Sequence, residues 1–455
     1  MKLKVGEVLS VINGNPQNVL FDDLDTYFDW LHFIETSSIK RPIESKKVCY
    51  FAVYEPDPDI NGWYNQGFDN RKKISELFLK NPEWVFVVEV DQPDISELIE
   101  NGCKIVIVRN IRDSIKKIFD MVLFKVRSVV IGVTGSVGKT TCVALLEDVL
   151  NCYAKVLRIY SKRLSPLSIM TSVVNLLEED HKFIVTEYCL YRPHHIEELA
   201  LLLRPQIAAF LNVGSSHLGV NGINTVSDIF ESKIKLLDAA DTRIMSSDLV
   251  GYGYSNKVCL FGIDDSSSVL FKTSSKKFYL NDIGYSIKLP ILTKLSVKQV
   301  LATLSILNGL GLEINKQSLL SIENFKPKEN RLLVKNFKKA KLIFDGEMSN
   351  VSRLIALGEN YYDKSILVIT QQNHGDEPLE PQKEGFRQLR SLFNRIYVIE
   401  SIESDWLEYF KEDLMPDCLV DEVGINDLFQ EGAVVFVHAG GFFRFGQKIQ
   451  LPFSI

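Results

Sequence analysis

One segment of this 455-residue chain combines glycine, lysine and hydroxyl side chains at a spacing that can hold phosphate. An apolar run, SVVIGV, precedes the sequence TGSVGKTT at positions 134–141, called the glycine loop below. Gly135 and Gly138 let the backbone curl so that its N–H groups face an anion, and a helix starting near Lys139 adds its positive dipole end. Lys139 can then bridge the outer phosphates, while the Thr140 hydroxyl can ligate Mg²⁺. The loop residues predicted to hold a nucleotide are Thr134, Gly135, Ser136, Gly138, Lys139, Thr140 and Thr141.

The spacing of the glycine loop differs from the common GxxxxGKT pattern. Five residues separate Gly132 from Gly138, and the core reads TGxxGKTT. In this form the loop resembles that of the Mur ligases, which join an amine to a carboxylate by way of an acyl phosphate. Within that family the pattern is most similar to the ligases that add D-alanyl-D-alanine to a UDP-N-acetylmuramoyl tripeptide. The resemblance implies an ATP-dependent amide ligase that uses ATP and two Mg²⁺ ions.

The same resemblance assigns roles to residues beyond the glycine loop. FIVTEY places Glu187 at the carboxyl end of a strand, where ligands of open α/β sheets bind. QIAAFLNVGSSHLG matches the family segment that supplies an asparagine, Asn212, and a metal-binding histidine, His217. DIFESKIKLLDAA matches the helix whose lysine, here Lys233, is carbamylated in several members. A solvated carboxylate, a structural histidine and a helix-surface lysine are the ordinary alternatives. The implied metal ligands are Thr140, Glu187, His217 and Lys233, and the implied catalytic residues are Lys139, Lys233 and His217.

Sequence similarity weakens toward the carboxyl-terminal part of the chain. NRLLVKNFKKAKLIFDG resembles the family's Gly-Arg segment and following strand, which implies that Arg331 contacts the phosphates and Asp345 the ribose or a metal-bound water. Asn350 falls where the next loop often carries an asparagine. The helix that touches the base in relatives reads LSVKQVL here, so that Gln299 is the polar candidate. His438–Gly441 stands where relatives place Lys-Gly-Ser. We therefore expect conserved chemistry with altered specificity, in cell-wall synthesis or in a specialised pathway.

The order of helical and extended patterns predicts an α/β protein of three domains, because 455 residues exceed one ordinary core. We expect a small N-terminal α/β substrate- or carrier-binding domain at 1–108. A central P-loop ATPase domain with a parallel sheet is expected at 109–325, and a Rossmann-like domain at 326–455. Strands alternating with helices are typical of parallel sheets covered on both faces.

Composition limits the partners of the chain. A formal net charge of −6 gives no basic field for nucleic acid or an anionic membrane, and no apolar stretch approaches the twenty residues of a membrane span. Seven cysteines without CxxC spacing fit a cytoplasmic protein with reduced thiols. We expect a monomer acting on a small carboxylate and an amine, with a UDP-sugar peptide as one candidate carrier. A non-catalytic Mur-like partner subunit and a P-loop kinase or ATPase remain alternatives, against which Glu187, His217 and Lys233 argue together.

Overall fold

The fold is described from a computed structural model. The residues that the structure describes are 2–34, 39–56, 68–160, 164–216, 218–263, 267–328, 331–337, 339–345, 351–369, 383–399, 418–420 and 430–438. These residues form two compact units. None of the described helices is long and apolar enough to cross a bilayer.

The first unit comprises residues 1–130, 154–186 and 201–203. Its elements are β1 Asn15–Gln17, β2 Trp30–His32, β3 Val48–Phe51, β4 Tyr54–Glu55, β5 Phe68–Asp69, β6 Val85–Glu89, β7 Lys104–Val108, β9 Val156–Ile159, β10 Phe183–Glu187, α1 Val5–Ile12, α2 Ile74–Lys80, α3 Ile95–Glu100, α4 Ile111–Val126 and α6 Pro166–Leu176. The main sheet has the order β1-β7-β6-β3-β2 and is parallel except at β1. Strands β9 and β10 also pair in parallel. Buried β-branched runs such as VFVVE in β6 explain why these segments form interior strands.

The second unit comprises residues 131–153, 187–200 and 204–455. The elements of its first sheet are β8 Val129–Thr134, β11 Ile207–Phe210, β12 Thr242–Ser246, β13 Cys259–Gly262, β14 Val269–Lys272, β15 Lys277–Leu280, β16 Ile283–Tyr285, α5 Lys139–Leu150, α7 His195–Leu202, α8 Val226–Ala239, α9 Lys294–Gly309 and α10 Lys316–Glu323. In this unit the strands follow the order β16-β15-β14-β13-β12-β11-β8. Capping boxes define where its helices start: Thr225 with Asp228 begins α8, and Thr293 with Ser296 begins α9.

The prediction of a parallel sheet is correct for part of this array. Strands β8 and β11 to β14 pair in parallel, as the alternation with helices indicated. The prediction is wrong for β15 and β16, which pair antiparallel in a meander. Only four residues, 273–276, connect β14 to β15. A connection this short can make a hairpin but cannot make the crossover that a parallel neighbour requires.

A second sheet of this unit is formed by the carboxyl-terminal part of the chain. Its elements are β17 Leu333–Phe337, β18 Ala340–Asp345, β19 Ser365–Ile369, β20 Arg395–Ile399, β21 Cys418–Val420, β22 Val434–His438, α11 Val351–Gly358 and α12 Lys383–Leu392. The strand order is β17-β18-β22-β19-β20-β21, and only β17 is antiparallel to its neighbour. The α/β class is confirmed, whereas the division into three domains at 108 and 325 stays a prediction.

Candidate functional site

The glycine loop joins the end of β8 to the start of α5, as the sequence predicted. Gly138 is the residue immediately before α5 and has a φ of 88°, in the left-handed region that favours glycine. A Cβ atom at this position would lie 2.7 Å from Leu295 Cδ1 and 2.9 Å from Gln299 Nε2. Both the backbone angle and the contact with α9 therefore require glycine at position 138.

We expect Gly138→Ala to lower the free energy of unfolding by about 1–2 kcal/mol, the approximate cost of a left-handed conformation in a residue with a Cβ. Denaturant unfolding followed by circular dichroism measures the change. Gly251→Ala is the matched control, because Gly251 has open space around its Cα and lacks the left-handed φ. Equal stability losses in the two variants would contradict the strain assigned to Gly138.

Asn212 holds the first half of the glycine loop. Its Oδ1 accepts hydrogen bonds from the N–H groups of Ser136 at 3.1 Å and Val137 at 2.9 Å, and its Nδ2 donates to the Val137 carbonyl at 2.9 Å. The Ser136 hydroxyl accepts from the N–H of Gly214 at 2.9 Å. The Thr134 hydroxyl donates to the Tyr188 carbonyl at 2.9 Å, and Thr134 is fully buried. The loop is thus fixed from two neighbouring segments of the same unit.

Two lysine side chains converge on one carbonyl oxygen of the glycine loop. Lys139 Nζ donates to the Gly135 oxygen at 2.7 Å and to the Ser136 oxygen at 3.3 Å. Lys233 Nζ, on α8, donates to the same Gly135 oxygen at 3.1 Å. Lys233 is completely buried, whereas Lys139 is half-buried. The two positive charges are close neighbours and repel each other.

A carboxylate and a hydroxyl meet beside these lysines. The Thr140 hydroxyl, in the first turn of α5, donates to Glu187 Oε2 at 2.9 Å. Thr140 is 6% exposed and Glu187 5%, and the adjacent Thr141 is also buried. Two hard oxygen donors are therefore brought together at the amino end of α5, out of bulk water.

Two other titratable groups near Glu187 are held in their neutral forms. Burial raises the pKa of the Cys189 thiol to about 12, and the negative charge of Glu187 acts in the same direction. Burial lowers the pKa of His195 to about 4, and its Nδ1 lies 2.9 Å from the Cys189 carbonyl oxygen. At neutral pH neither side chain carries a charge.

The structure gives Gln299 and Asp345 partners that the sequence did not indicate. Gln299 Nε2 donates to the Gly138 carbonyl at 3.0 Å. Asp345, at the end of β18, forms a bidentate ion pair with Arg353 on α11, and both residues are buried. Arg331 is half-buried just before β17, and its backbone N–H donates to the Lys328 carbonyl at 3.3 Å.

His217, Asn350 and residues 439–441 lie outside the described residues, as does the side chain of His438.

Sequence reasoning missed the segment that approaches the glycine loop from α11. The Ser352 hydroxyl lies 2.9 Å from that of Ser215, and a Cβ on Gly214 would lie 3.1 Å from Ser352 Oγ. Gly214 in turn bonds Ser136 in the loop. Single serines such as these form no recognisable sequence motif, so their proximity to the glycine loop could be identified only from the folded structure. The predicted residues of the loop, Asn212, Glu187, Lys233 and Gln299 are thus brought together, and Asp345 is connected to them through α11.

Comparison with known proteins matches the segment that carries this site. Residues 133–307 match the family described as the Mur ligase middle domain. A UDP-N-acetylmuramoyl-tripeptide–D-alanyl-D-alanine ligase of Synechocystis is 28% identical over 204 residues, covering 43% of this chain and 44% of that protein. A UDP-N-acetylmuramoylalanine–D-glutamate ligase of Thermosipho africanus is 23% identical over 320 residues, covering 69% and 68%. The chain therefore spans less than half the length of the first relative and about two thirds of the second.

Solved structures match the fold over nearly the whole chain. MurF from Acinetobacter baumannii superposes with a TM-score of 0.73 at 15% identity, covering 98% of this chain and 97% of that one. MurF ligase from Thermotoga maritima, in complex with ADP, gives a TM-score of 0.66 at 20% identity, covering 87% and 91%. At these identities the likeness shows the fold. Together with the match of residues 133–307 to the Mur ligase middle domain, it supports the Mur ligase family for this chain.

Proposed function

We propose that this chain is an ATP-dependent ligase that joins a carboxylate to an amine and releases ADP and phosphate. The observation that carries the proposal is the meeting of Lys139, the first turn of α5 and the Thr140–Glu187 pair at one point of the second unit. The match of residues 133–307 to the Mur ligase middle domain and the similarity to the amide-forming ligases named above support it. Because ATP is the proposed phosphoryl donor, the cytoplasm is the expected compartment.

In the proposed complex the glycine loop binds the phosphates of ATP. The first N–H groups of α5 have no acceptor within the helix, so that they can donate to phosphate oxygens. The Lys139 ammonium, which now donates to two loop carbonyls, can turn to the outer phosphates and offset their negative charge. Because Asn212 already fixes the loop, little ordering is left for nucleotide binding to do.

The Thr140–Glu187 pair suits Mg²⁺, because a hydroxyl and a carboxylate are the hard oxygen ligands that this ion prefers. We propose that these two residues hold one ion and that His217 and Lys233 contribute to a second. When bound, Mg²⁺ neutralises negative charge on the phosphate oxygens during phosphoryl transfer. Arg331 and Asp345 are proposed to approach the nucleotide from the carboxyl-terminal sheet, with Asp345 oriented by Arg353.

The proposed reaction has two chemical steps. An oxygen of the substrate carboxylate attacks the γ-phosphorus in line, so that the bond to the β-phosphate oxygen breaks and an acyl phosphate and ADP form. The amine nitrogen then attacks the acyl carbon, and the tetrahedral intermediate loses inorganic phosphate while the nitrogen loses a proton. Activation is needed because a free carboxylate is a poor electrophile. Lys139 acts in the first step by stabilising charge on the phosphoryl group as it moves.

We propose as substrates a carboxylate, with a UDP-sugar peptide as one candidate carrier, and an amino acid or dipeptide amine. This choice follows the names of the similar ligases, which act on UDP-N-acetylmuramoyl compounds. The LSVKQVL helix and the His438–Gly441 segment depart from the family pattern, so specificity for the base and the acceptor is expected to differ. A monomer remains the expected assembly.

ATP consumption with a panel of carboxylates, with and without amines, tests the proposal. We expect ADP and inorganic phosphate in equal amounts and an amide product only when both substrates are present. The reason is that Lys139 and the Thr140–Glu187 pair favour transfer of the terminal phosphoryl group. AMP and pyrophosphate would indicate an adenylating enzyme. Phosphorylated product without amide would indicate a kinase, and no consumption would favour a non-catalytic partner subunit.

A further inference from the structure

Gln299 lies on the side of α9 that packs against the glycine loop, and it is only 4% exposed. Its Nε2 donates to the Gly138 carbonyl oxygen at 3.0 Å. The same oxygen accepts the first helical hydrogen bond of α5, from Cys142 N–H at 2.9 Å. Both lone pairs of this carbonyl are therefore used, one by α5 itself and one by the side chain of a residue 161 positions later in the chain.

The direction of the Gly138 carbonyl determines the direction of the next N–H group. The Gly138 carbonyl and the Lys139 N–H belong to one planar trans peptide unit, in which they point in opposite directions. Because Gln299 draws the oxygen toward α9, the Lys139 N–H must point away from α9. A single helical bond at a frayed helix end would leave this unit free to tilt. The second bond, from a buried side chain, removes that freedom.

The backbone of Gln299 is also held in place within α9. Its backbone carbonyl accepts a hydrogen bond from the Thr303 hydroxyl at 2.9 Å. Glycine at position 138 is what allows this approach, since a Cβ there would lie 2.9 Å from Gln299 Nε2. A buried side-chain amide that already bonds the glycine loop is poorly placed to contact a nucleotide base. Its burial fits a role in the loop better than a role in base selection.

We infer that Gln299 is a positioning residue for phosphate binding, which aims the Lys139 N–H at the nucleotide phosphates and does not select the base. The inference rests on the proposed function, because it requires the glycine loop to bind nucleotide phosphates. It differs from the role that the sequence suggested for Gln299, which was contact with the base. The two roles predict different losses when the amide is removed.

Gln299→Met keeps the length and apolar stem of the side chain but removes its donor. We expect the dissociation constants of Mg·ATP, Mg·GTP and Mg·tripolyphosphate to rise by one common factor of about tenfold, as for a lost buried hydrogen bond. Isothermal titration of the full chain measures all three. Tripolyphosphate has no base, so a loss for ATP without a loss for tripolyphosphate would overturn the inference. An unchanged affinity for ATP would overturn it as well.

Gln299→Glu provides a second readout that a purely structural role would not change. An ionised carboxylate cannot donate to the Gly138 oxygen, whereas a protonated one can. Relative to the native protein, this variant should bind Mg·ATP weakly at pH 8 and recover as the pH falls through the titration of the glutamate. A ratio to native affinity that does not change with pH would contradict the inference.

Ser305→Ala is the matched control, because Ser305 is a buried polar residue of the same helix that bonds only its own turn, at the Leu301 carbonyl. It should leave all three dissociation constants unchanged, and a tenfold loss there would overturn the specific role of Gln299. Thermal unfolding without nucleotide verifies that each variant is folded. The native protein separates the two hypotheses: if it binds no Mg·ATP, the proposed function fails, whereas native binding with an unaffected Gln299→Met variant defeats only the role of Gln299.

Discussion

Lys139→Ala is expected to lower the rate of ATP-dependent amide formation by about 10²–10³, the usual cost of losing one group that stabilises transition-state charge. The loss should appear mainly in kcat, because the charge on the moving phosphoryl group is largest in the transition state. Folding should be spared. The Lys139 ammonium is half-buried and bonds two carbonyls of the glycine loop itself, so its removal takes nothing from the apolar core. Steady-state kinetics and thermal unfolding together measure both parts of the prediction.

Lys257→Ala is a suitable control for this variant, because Lys257 is an exposed lysine of the same unit. It should retain native kinetics. Lys139→Arg keeps a positive charge but replaces a compact ammonium by a larger, planar guanidinium, so we expect partial activity at most. Near-native turnover by Lys139→Ala would show that the glycine loop does not act on the transferred phosphoryl group.

Features set by neighbouring residues could be predicted from the sequence. Helix α4, Ile111–Val126, begins directly after Asn110, whose side chain caps its amino end. Strand β8, the glycine turn and the start of α5 at Lys139 were predicted correctly, because this motif consists of consecutive residues. Glu187 ends a strand for the same local reason.

Partners far apart in the sequence could not be predicted in this way. The ion pair of Asp345 with Arg353 and the contact of Ser352 with Ser215 depend on how β18 and α11 pack, not on any local pattern. The bond from Gln299 to Gly138 depends likewise on the packing of α9 against α5. The sequence therefore identified Asp345 and Gln299 as polar residues of interest but not the atoms they bond.

Lys233→Ala is expected to lose at least about a hundredfold in turnover, because we propose that Lys233 acts as a carbamate in the second metal site. The structure supplies a physical reason that the resemblance alone did not. Lys233 Nζ is completely buried and shares the Gly135 oxygen with Lys139 Nζ, so the two amines repel each other whenever both are protonated. A carbamate at Lys233 replaces this repulsion by attraction and adds the oxygen ligands that Mg²⁺ prefers.

The carbamate can be distinguished from an ordinary buried lysine by rescue. Formate or acetate should partly restore turnover to Lys233→Ala, because a short carboxylate can occupy the space of the lost group. Lys233→Arg, which keeps the charge and has no room for an added anion, should stay inactive in the same assay. Removing dissolved CO₂ should slow the native enzyme, and bicarbonate should restore it.

Lys235 offers the matched control for Lys233, since it lies two residues along α8, is exposed and pairs with Asp238 at 3.9 Å. Lys235→Arg and Lys235→Ala should retain native turnover and show no response to formate. Isotope-labelled bicarbonate should give a carbamate resonance in the native protein and none in Lys233→Ala. Native turnover by Lys233→Arg would mean that the ammonium itself serves the site, as the hydrogen-bond donor to Gly135 that the structure shows, and the carbamate would then be wrong.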